Sequence, residues 1–401
     1  MKKILLLGGA RQQIPSIIAA KKLGFYTVTC DYLPDNPGHR YADEYYNVST
    51  TDKDAVLKLA KKLKIDGIAC YASDPSATTA AYVAEKMHLP GNHYESVEIL
   101  SNKAKYRHFL SQNGFCSPKA EAYSSFEEVK KGLSDFKLPV FVKPVDSSGS
   151  KGIALIRDLS GLKKMVETAL SFSRAKEVIV EEYVESVSYQ IAGDGFSVDG
   201  SLLFRCFGND HFDRSNLSPF VPAAASFPCT AAADIQNKVH SEIQRLLSLL
   251  DMKTGAYNFD VRLDDRGNVY LMEVGPRNGG CYIPQVIKYS TGVDMVEYTI
   301  KASMGEDCSG LEHKKPNGFW SYYAVHSPAT GRLKAINIDE GVNANNVVEK
   351  YFCYESGEII HPYTSSDKKL GVLLMKFASM EEMLDMMDNT ADWLRVDVER
   401  I

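Results

Sequence analysis

The stretch from Gly255 to Cys281, GAYNFDVRLDDRGNVYLMEVGPRNGGC, constrains this chain more than any other. Tyr257, Phe259, Val261 and Leu263 alternate with Asn258, Asp260 and Arg262, and a second apolar-rich run covers Val269 to Val274. That period of two, on either side of an Asp/Gly/Asn-rich turn, predicts a β-hairpin. Pairing Asp264 with Val269 across a four-residue loop sets Asp260 opposite Glu273, and residues so opposed have Cβ atoms roughly 5 Å apart. Two carboxylates in one place repel each other unless one keeps its proton or a cation lies between them, and hard oxygen donors of this kind suit Mg²⁺. The same residues also suit a solvated acidic face on an edge hairpin. The tail Gly275-Pro-Arg-Asn-Gly-Gly280 favours the metal, because Arg277 and a small-residue turn directly after the acids can hold anionic oxygens beside it.

Composition bounds the rest. A chain of 401 residues is expected to form two or three domains, each able to bury a core. With 44% hydrophobic and 24% charged residues and a net charge of −5, it reads as globular. It carries no electrostatic footprint for nucleic acid or an anionic membrane, so its expected partners are small molecules. The opening MKKILLLGGA stops its apolar run at Gly8-Gly9, too short for a membrane span or a signal core, and reads as a first strand. Eight cysteines without CxxC or Cys/His metal spacing point to a reducing, cytoplasmic setting and to buried thiols rather than a nucleophile.

From the start, strand alternates with helix: strand Lys3 to Leu7, helix Ile14 to Leu23, strand Thr27 to Asp31, helix Asp54 to Lys62, strand Gly67 to Tyr71. This predicts a doubly wound parallel sheet. The Gly8-Gly9 turn lacks G-x-G-x-x-G, so a plain tight turn is preferred to a dinucleotide site. Asp31 and the loop Leu33 to Tyr41 lie at the second strand's carboxyl end, with or without a part in substrate binding. A boundary is expected near Leu89-Pro-Gly-Asn92. Beyond it, Ser96 to Asn113 reads as helical and carries Lys103, Lys105 and Arg107, ordinarily a solvated face. The strand Leu138 to Lys143 is followed by Asp146-Ser-Ser-Gly-Ser-Lys-Gly152 and the strand Ile153 to Arg157. Amides, hydroxyls and an ammonium group on such a turn can close on phosphate oxygens. It is not a Walker loop, and a flexible hairpin fits it equally. The strand Glu177 to Val184, EVIVEEYV, can offer backbone groups to an adenine, although this pattern is common.

In chain order, Lys103, Lys143, the Ser/Gly/Lys loop, Glu181 to Val184 and the Asp260/Glu273 hairpin with its Pro-Arg-Asn-Gly-Gly tail resemble the ATP-grasp superfamily. So do Asp31 followed by Pro-Gly-His-Arg-Tyr-Ala-Asp43, and Ser101-Asn-Lys103. The likeness covers almost the whole chain and is to the branch of carboxylate-amine ligases, biotin carboxylase and the carboxylating or formylating ligases of purine synthesis. It implies an α/β preATP-grasp domain at 1–92, an ATP-grasp domain at 93–310 (lid lobe about 115–185, large lobe about 186–310), and a small β-rich lobe at 311–401. ATP and Mg²⁺ are the implied cofactors. Lys103 and Lys143 would hold the α and β phosphates, and Ser147, Ser148, Gly149, Ser150, Lys151 and Gly152 would fold over the β and γ phosphates. Glu181, Glu182 and Val184 would meet the adenine, the last two largely through the backbone. Asp260 and Glu273 would hold Mg²⁺, with Arg277 neutralising the transferred phosphoryl group or the acyl phosphate.

Two positions depart from the pattern. The family's Asn two residues after the metal Glu is Gly275 here, which puts a second metal site in doubt; a carbonyl, water or Asn278 is the substitute to consider. The acid expected seven residues after Glu181, at the ribose, is Ser188, with Glu185 as the nearby alternative. Towards the end, Tyr282 to Met304 reads as helix with loops. Strands follow at Trp320 to Val325, Lys334 to Ile338 and Leu370 to Phe377, then a helix at Glu381 to Asn389. His326 reads as structural rather than substrate-facing. Asn209-Asp-His-Phe-Asp-Arg214 reads as an irregular polar loop, preferred as a substrate contact. The resemblance implies an ADP-forming ligase that activates a small-molecule carboxylate as an acyl phosphate and joins it to an amine. The alternatives are a bicarbonate-activating carboxylase or carbamoyl-phosphate-synthase-like enzyme, and, given Gly275 and Ser188, a non-catalytic ATP-binding protein. The branch is often dimeric through its first domain, so a homodimer stays open.

Overall fold

The computed structural model describes residues 1–215 and 217–401. Four parallel strands open the chain: β1 (Lys3–Leu7), β2 (Tyr26–Cys30), β3 (Glu44–Tyr46) and β4 (Gly67–Cys70), in the order β3-β2-β1-β4. The apolar run KILLL makes β1 central, since a parallel strand is buried on both faces. Leu5 and Leu7 pack with Val56, Leu59 and Val83, whereas Ile4 and Leu6 pack with Ile17, Ile300 and Met304. The helix Ile14–Lys22 therefore lies on one face of the sheet, and the helices Lys53–Leu63 and Asp74–Met87 lie on the other. The short strand β3 and the helix Asp74–Met87 are absent from the sequence-based expectation.

The helical region expected at Ser96 to Asn113 is two helices, Tyr94–Ser101 and Lys103–Gln112. Asn102 divides them: its side chain accepts from the Ala104 and Lys105 amides and caps the second helix. A four-stranded antiparallel sheet follows, with β5 (Ala120–Tyr123), β6 (Val140–Pro144), β7 (Ala154–Ile156) and β8 (Val178–Glu182) in the order β5-β8-β6-β7.

The remaining strands are β9 (Ile191–Val198), β10 (Ser201–Phe212), β11 (Pro222–Phe227), β12 (Gly255–Leu263), β13 (Val269–Gly275), β14 (Phe319–Val325), β15 (Gly331–Ile338), β16 (Val347–Phe352), β17 (Ile359–Ile360), β18 (Gly371–Phe377) and β19 (Leu394–Glu399). Eight of them form one sheet in the order β13-β12-β9-β10-β11-β14-β18-β16, and β17-β15-β19 form a small separate one. Asn209 to Phe212 are not an irregular loop. They complete β10, paired to β9 and β11, because a polar sequence becomes strand where neighbours on both sides supply the ladder.

Alternation along β12 divides its two faces. Tyr257, Phe259, Val261 and Leu263 enter the core with Val239, Ile243, Leu246 and Leu247 of the helix Ala233–Leu249. Asn258, Asp260 and Arg262 are left facing a cleft.

Candidate active site

The expected facing of the two acids is reached by a different register. Leu263 pairs with Val269, so the connecting loop spans 264–268, one residue longer than expected. A bulge beside Asp260 takes up the slack: Val261 opposes Leu271, Met272 is unpaired, and Asp260 faces Glu273. Without the bulge, one acid would turn into the core.

These acids line a cleft of about 550 Å³ with Lys103, Lys143, Ser147 to Lys151 and Arg277. Lys103 begins its helix, and its Nζ donates to the Ser147 carbonyl at 2.7 Å, 3.9 Å from Glu273. Lys143, next to the last residue of β6, donates to Glu181 at 2.6 Å. Arg107, one turn after Lys103 and so on the same helix face, donates to the other Glu181 oxygen at 2.5 Å and to the Leu271 and Met272 carbonyls. Burial would raise Glu181, but Arg107 and Lys143 overrule it and hold the carboxyl down to about 2. Burial and the nearby Arg107 charge outweigh Glu181 at Lys143 and lower its ammonium. The Glu181 carboxylate is thus taken up by two cations, and its backbone is paired within the sheet between β5 and β6, so neither is free to meet a base as the resemblance implied. The Glu182 side chain accepts from the Lys137 amide at 2.9 Å. No described residue accepts from the Val184 N–H, while the Val184 carbonyl accepts from Arg262 at 2.9 Å.

The loop 147–152 is tied to the segment 365–369. Its Gly149 and Ser150 have φ of 65° and 61°, and the Gly149 carbonyl accepts from the Ser366 amide at 3.0 Å. Lys151 stands 3.9 Å from Asp367. Gly152, at φ 71°, packs on Pro144 and Phe172 rather than lining the cleft. Ser188 lines an adjoining cavity of about 1020 Å³, and Glu185 is exposed, outside the lining of both.

Asp260 is pushed up to about 7, first by burial and then by Glu273 opposite it. A cation between the two carboxyl groups would relieve that repulsion, and carboxylate oxygens are the donors Mg²⁺ prefers. No group of three or more His, Cys, Asp or Glu side chains poised for a metal occurs among the described residues. The pair therefore fits an ion that keeps several waters. Gly275 opposes Asn258. A Cβ at 275 would come within 3.1 Å of an Asp74 oxygen and 3.2 Å of the Arg277 guanidinium carbon. Asn278 is no substitute ligand, being fully buried with its oxygen accepting from Thr299 at 2.8 Å.

Asp74, at the start of the helix Asp74–Met87, was unpredicted. Both its oxygens accept from Arg277, each at 2.6 Å, and Arg277 also donates to Asn258 at 2.8 Å and approaches Glu273 to 3.8 Å. The Ser-Asp-Pro at 73–75 is a helix-start signature, and was the one signal available for it. Asp31 accepts from Gly9, Leu33 and Asn36, shaping the cleft's edge. His326 is structural as expected, bonded to Ala324 and Asp213 and stacked on Tyr363. Ser226, His211 and Asp388 line up at 2.8 and 2.6 Å like a hydrolase triad. Ser226 is fully buried and accepts from Asn209, so this line ties the helix Met380–Asp388 to the sheet.

A parallel sheet, an antiparallel lid and a large antiparallel sheet, with two lysines and two facing acids around one cleft, make up an ATP-grasp fold. The D-ala D-ala ligase C-terminus model matches residues 104–288, and L-amino acid ligase C-terminal domain 2 matches residues 324–399. An L-amino acid ligase from Bacillus licheniformis superposes with a TM-score of 0.82 over 100% of this chain and 99% of its own, at 20% identity. Formate-dependent phosphoribosylglycinamide formyltransferase of Sulfolobus acidocaldarius is 23% identical over 393 residues, 95% of this chain and 94% of that protein. The uncharacterized protein y4rH of Sinorhizobium fredii is 29% identical over 276 residues, 66% of this chain. The chain spans 55% of y4rH's length.

Proposed function

We propose that the protein is an ADP-forming ligase joining a small-molecule carboxylate to an amine at the expense of ATP. The observation that carries this reading is the arrangement of Asp260 and Glu273 face to face in a cleft that Lys103, Lys143 and Arg277 also enter. Phosphoryl transfer is dominated by positioning and by fixed charge set against developing negative charge. Lys103 and Lys143 hold the phosphates of ATP, Ser147 to Lys151 close over them and keep water out, and the Glu182 to Val184 segment offers the Val184 amide to the adenine. Ser188, with Glu185 near it in the chain, borders the ribose end. Mg²⁺ held by Asp260 and Glu273 would neutralise phosphate oxygens. Arg277, fixed by Asp74, stabilises charge on the acyl phosphate formed when the carboxylate attacks the γ phosphorus.

The boundaries that accompany this reading are 1–92, 93–310 and 311–401. The setting is a reducing, cytoplasmic one, in keeping with eight free thiols, and no described helix is long and apolar enough to cross a membrane. A coupled ADP-release screen over pools of carboxylic acids and amines, with mass analysis of the product, tests the activity. Glu273→Gln and Lys143→Ala should each lower turnover at least about 100-fold while leaving the circular dichroism spectrum unchanged. Full turnover in both variants would overturn the assignment.

A further inference from the structure

A further cavity of about 230 Å³ adjoins the cleft, and Lys103, Met272 and Glu273 line both. Two side chains on its wall come from the helices on either side of Asn102: Ser101 ends the first, and Tyr106 lies one turn into the second. Tyr106 is 2% exposed, with its ring packed in the core that holds Leu110, Leu271 and Val274. The Tyr106 and Ser101 hydroxyl oxygens are both buried, and neither has a hydrogen-bond partner among the described residues. A phenylalanine would give the core the same ring, whereas a buried hydroxyl left without a partner only costs stability.

The carboxyl groups on the same wall are differently placed. Both oxygens of Asp74 accept from Arg277, Glu98 accepts from Tyr94 at 3.2 Å and from Lys105 at 2.6 Å, and Asp146 accepts from Ser173 and from the Arg174 and Ala175 amides. Glu273 accepts no hydrogen bond from a described residue side chain: Lys103 and Arg277 stand 3.9 and 3.8 Å from it, engaged with the Ser147 carbonyl and with Asp74. Carboxylates that hold a metal are ordinarily fixed in turn by hydrogen bonds from a further layer of groups. A water molecule takes about 30 Å³ in the liquid and is held by roughly two to four polar partners. The cavity has the volume for several, with two hydroxyls and one carboxylate to hold them.

We infer that Tyr106, together with Ser101, is a positioning residue for the divalent ion: the two hydroxyls donate, through water in this cavity, to the Glu273 carboxylate and hold it turned towards Asp260. The inference rests on the reading of Asp260 and Glu273 as the magnesium pair. A neutral hydroxyl fixes the carboxylate and leaves its charge for the ion, whereas a cation at hydrogen-bonding distance would neutralise part of that charge. It also gives a use to a hydroxyl that the packing of the core does not need.

Mn²⁺ takes the same carboxylate and water ligands as Mg²⁺, and its free concentration is read from its electron paramagnetic resonance signal without any turnover. Full-length Tyr106→Phe should bind Mn²⁺ at least about tenfold more weakly than wild type, both alone and with ADP, whose own binding of Mn²⁺ is measured separately. Ser101→Ala should be weakened in the same direction, and decides the matter if the other variant does not fold. Without metal, Tyr106→Phe should unfold at a urea concentration no lower than wild type, because the hydroxyl it loses has no partner. Added Mn²⁺ should then raise the midpoint of wild type more than that of the variant. An affinity within about twofold of wild type in both variants overturns the inference, as does a Tyr106→Phe that loses stability without metal and keeps its affinity, since the hydroxyl would then serve the fold alone. Wild-type protein that binds no Mn²⁺ in either condition overturns the magnesium pair and this inference with it. Binding that depends on Tyr106, in a protein that releases no ADP with any substrate, sustains the inference and overturns the ligase reading alone.

Discussion

At the scale of single residues, the site is organised by carboxyl groups held in different states. Glu181, between Arg107 and Lys143, is held down to about 2. Asp194, fully buried, is pushed up to about 7 by burial, even though it accepts from the Gly279 amide at 2.8 Å and from Asn258 at 2.9 Å. A group whose folded pKa lies above its unfolded one binds the extra proton in the folded state, so its contribution is largest at low pH and is lost as pH rises through about 7. Without Mg²⁺, the unfolding free energy of the wild type from urea titrations should therefore fall between pH 5 and pH 8, by up to about 1.4 kcal/mol per pH unit for this group. Asp194→Asn does not titrate and should show a shallower fall. Equal slopes in the two proteins would mean that Asp194 keeps an ordinary acidity.

Elements show how the loop over the cleft is held. The 147–152 turn is held at Ser147 by Lys103 and meets the segment 365–369 through the Ser366 amide and Asp367. Ser366 is the first residue of a short 3₁₀ turn, a position whose fixed φ proline tolerates. Ser366→Pro therefore removes the donor to Gly149 with little else. Hydrogen exchange at residues 147–152 should become about fivefold faster, matching the loss of roughly 1 kcal/mol of hydrogen bonding. The KM for ATP should rise in parallel. Unchanged exchange would show that the contact does not hold the loop. The β12-β13 hairpin illustrates a second lesson about elements: its existence and its two faces follow from alternation, whereas the bulge that lets Asp260 meet Glu273 has no signature in the composition of Leu271-Met-Glu273.

Across the whole molecule, the Asp74–Arg277 pair links residues 203 apart in sequence, joining the helix after β4 to the tail of the hairpin. Arg277 is buried, so Asp74→Asn removes its bidentate partner and leaves Glu273, 3.8 Å away, as its nearest carboxylate. The expected result is a loss of about 1.5–3 kcal/mol in urea unfolding, together with lower turnover at an unchanged KM for ATP, because Arg277 would no longer be held against the reacting group. A variant with wild-type stability would show that the link carries nothing.

Much of this was legible in the chain: the parallel opening sheet, the hairpin with its opposed acids, the lysines at 103 and 143, and the loop at 147–152. Those signals are local, because backbone geometry repeats every two residues in a strand and every 3.6 in a helix. Arg107, Asp74 and Asp210 were beyond that reach. Arg107 reads as part of a solvated helix face until Glu181, 74 residues on, lies beside it. Asp210 reads as a loop residue until β9 and β11 pair with its strand. Periodicity can say which way a side chain points, but what it meets there, and whether water is excluded around it, depends on distant segments brought together by the closing of the core.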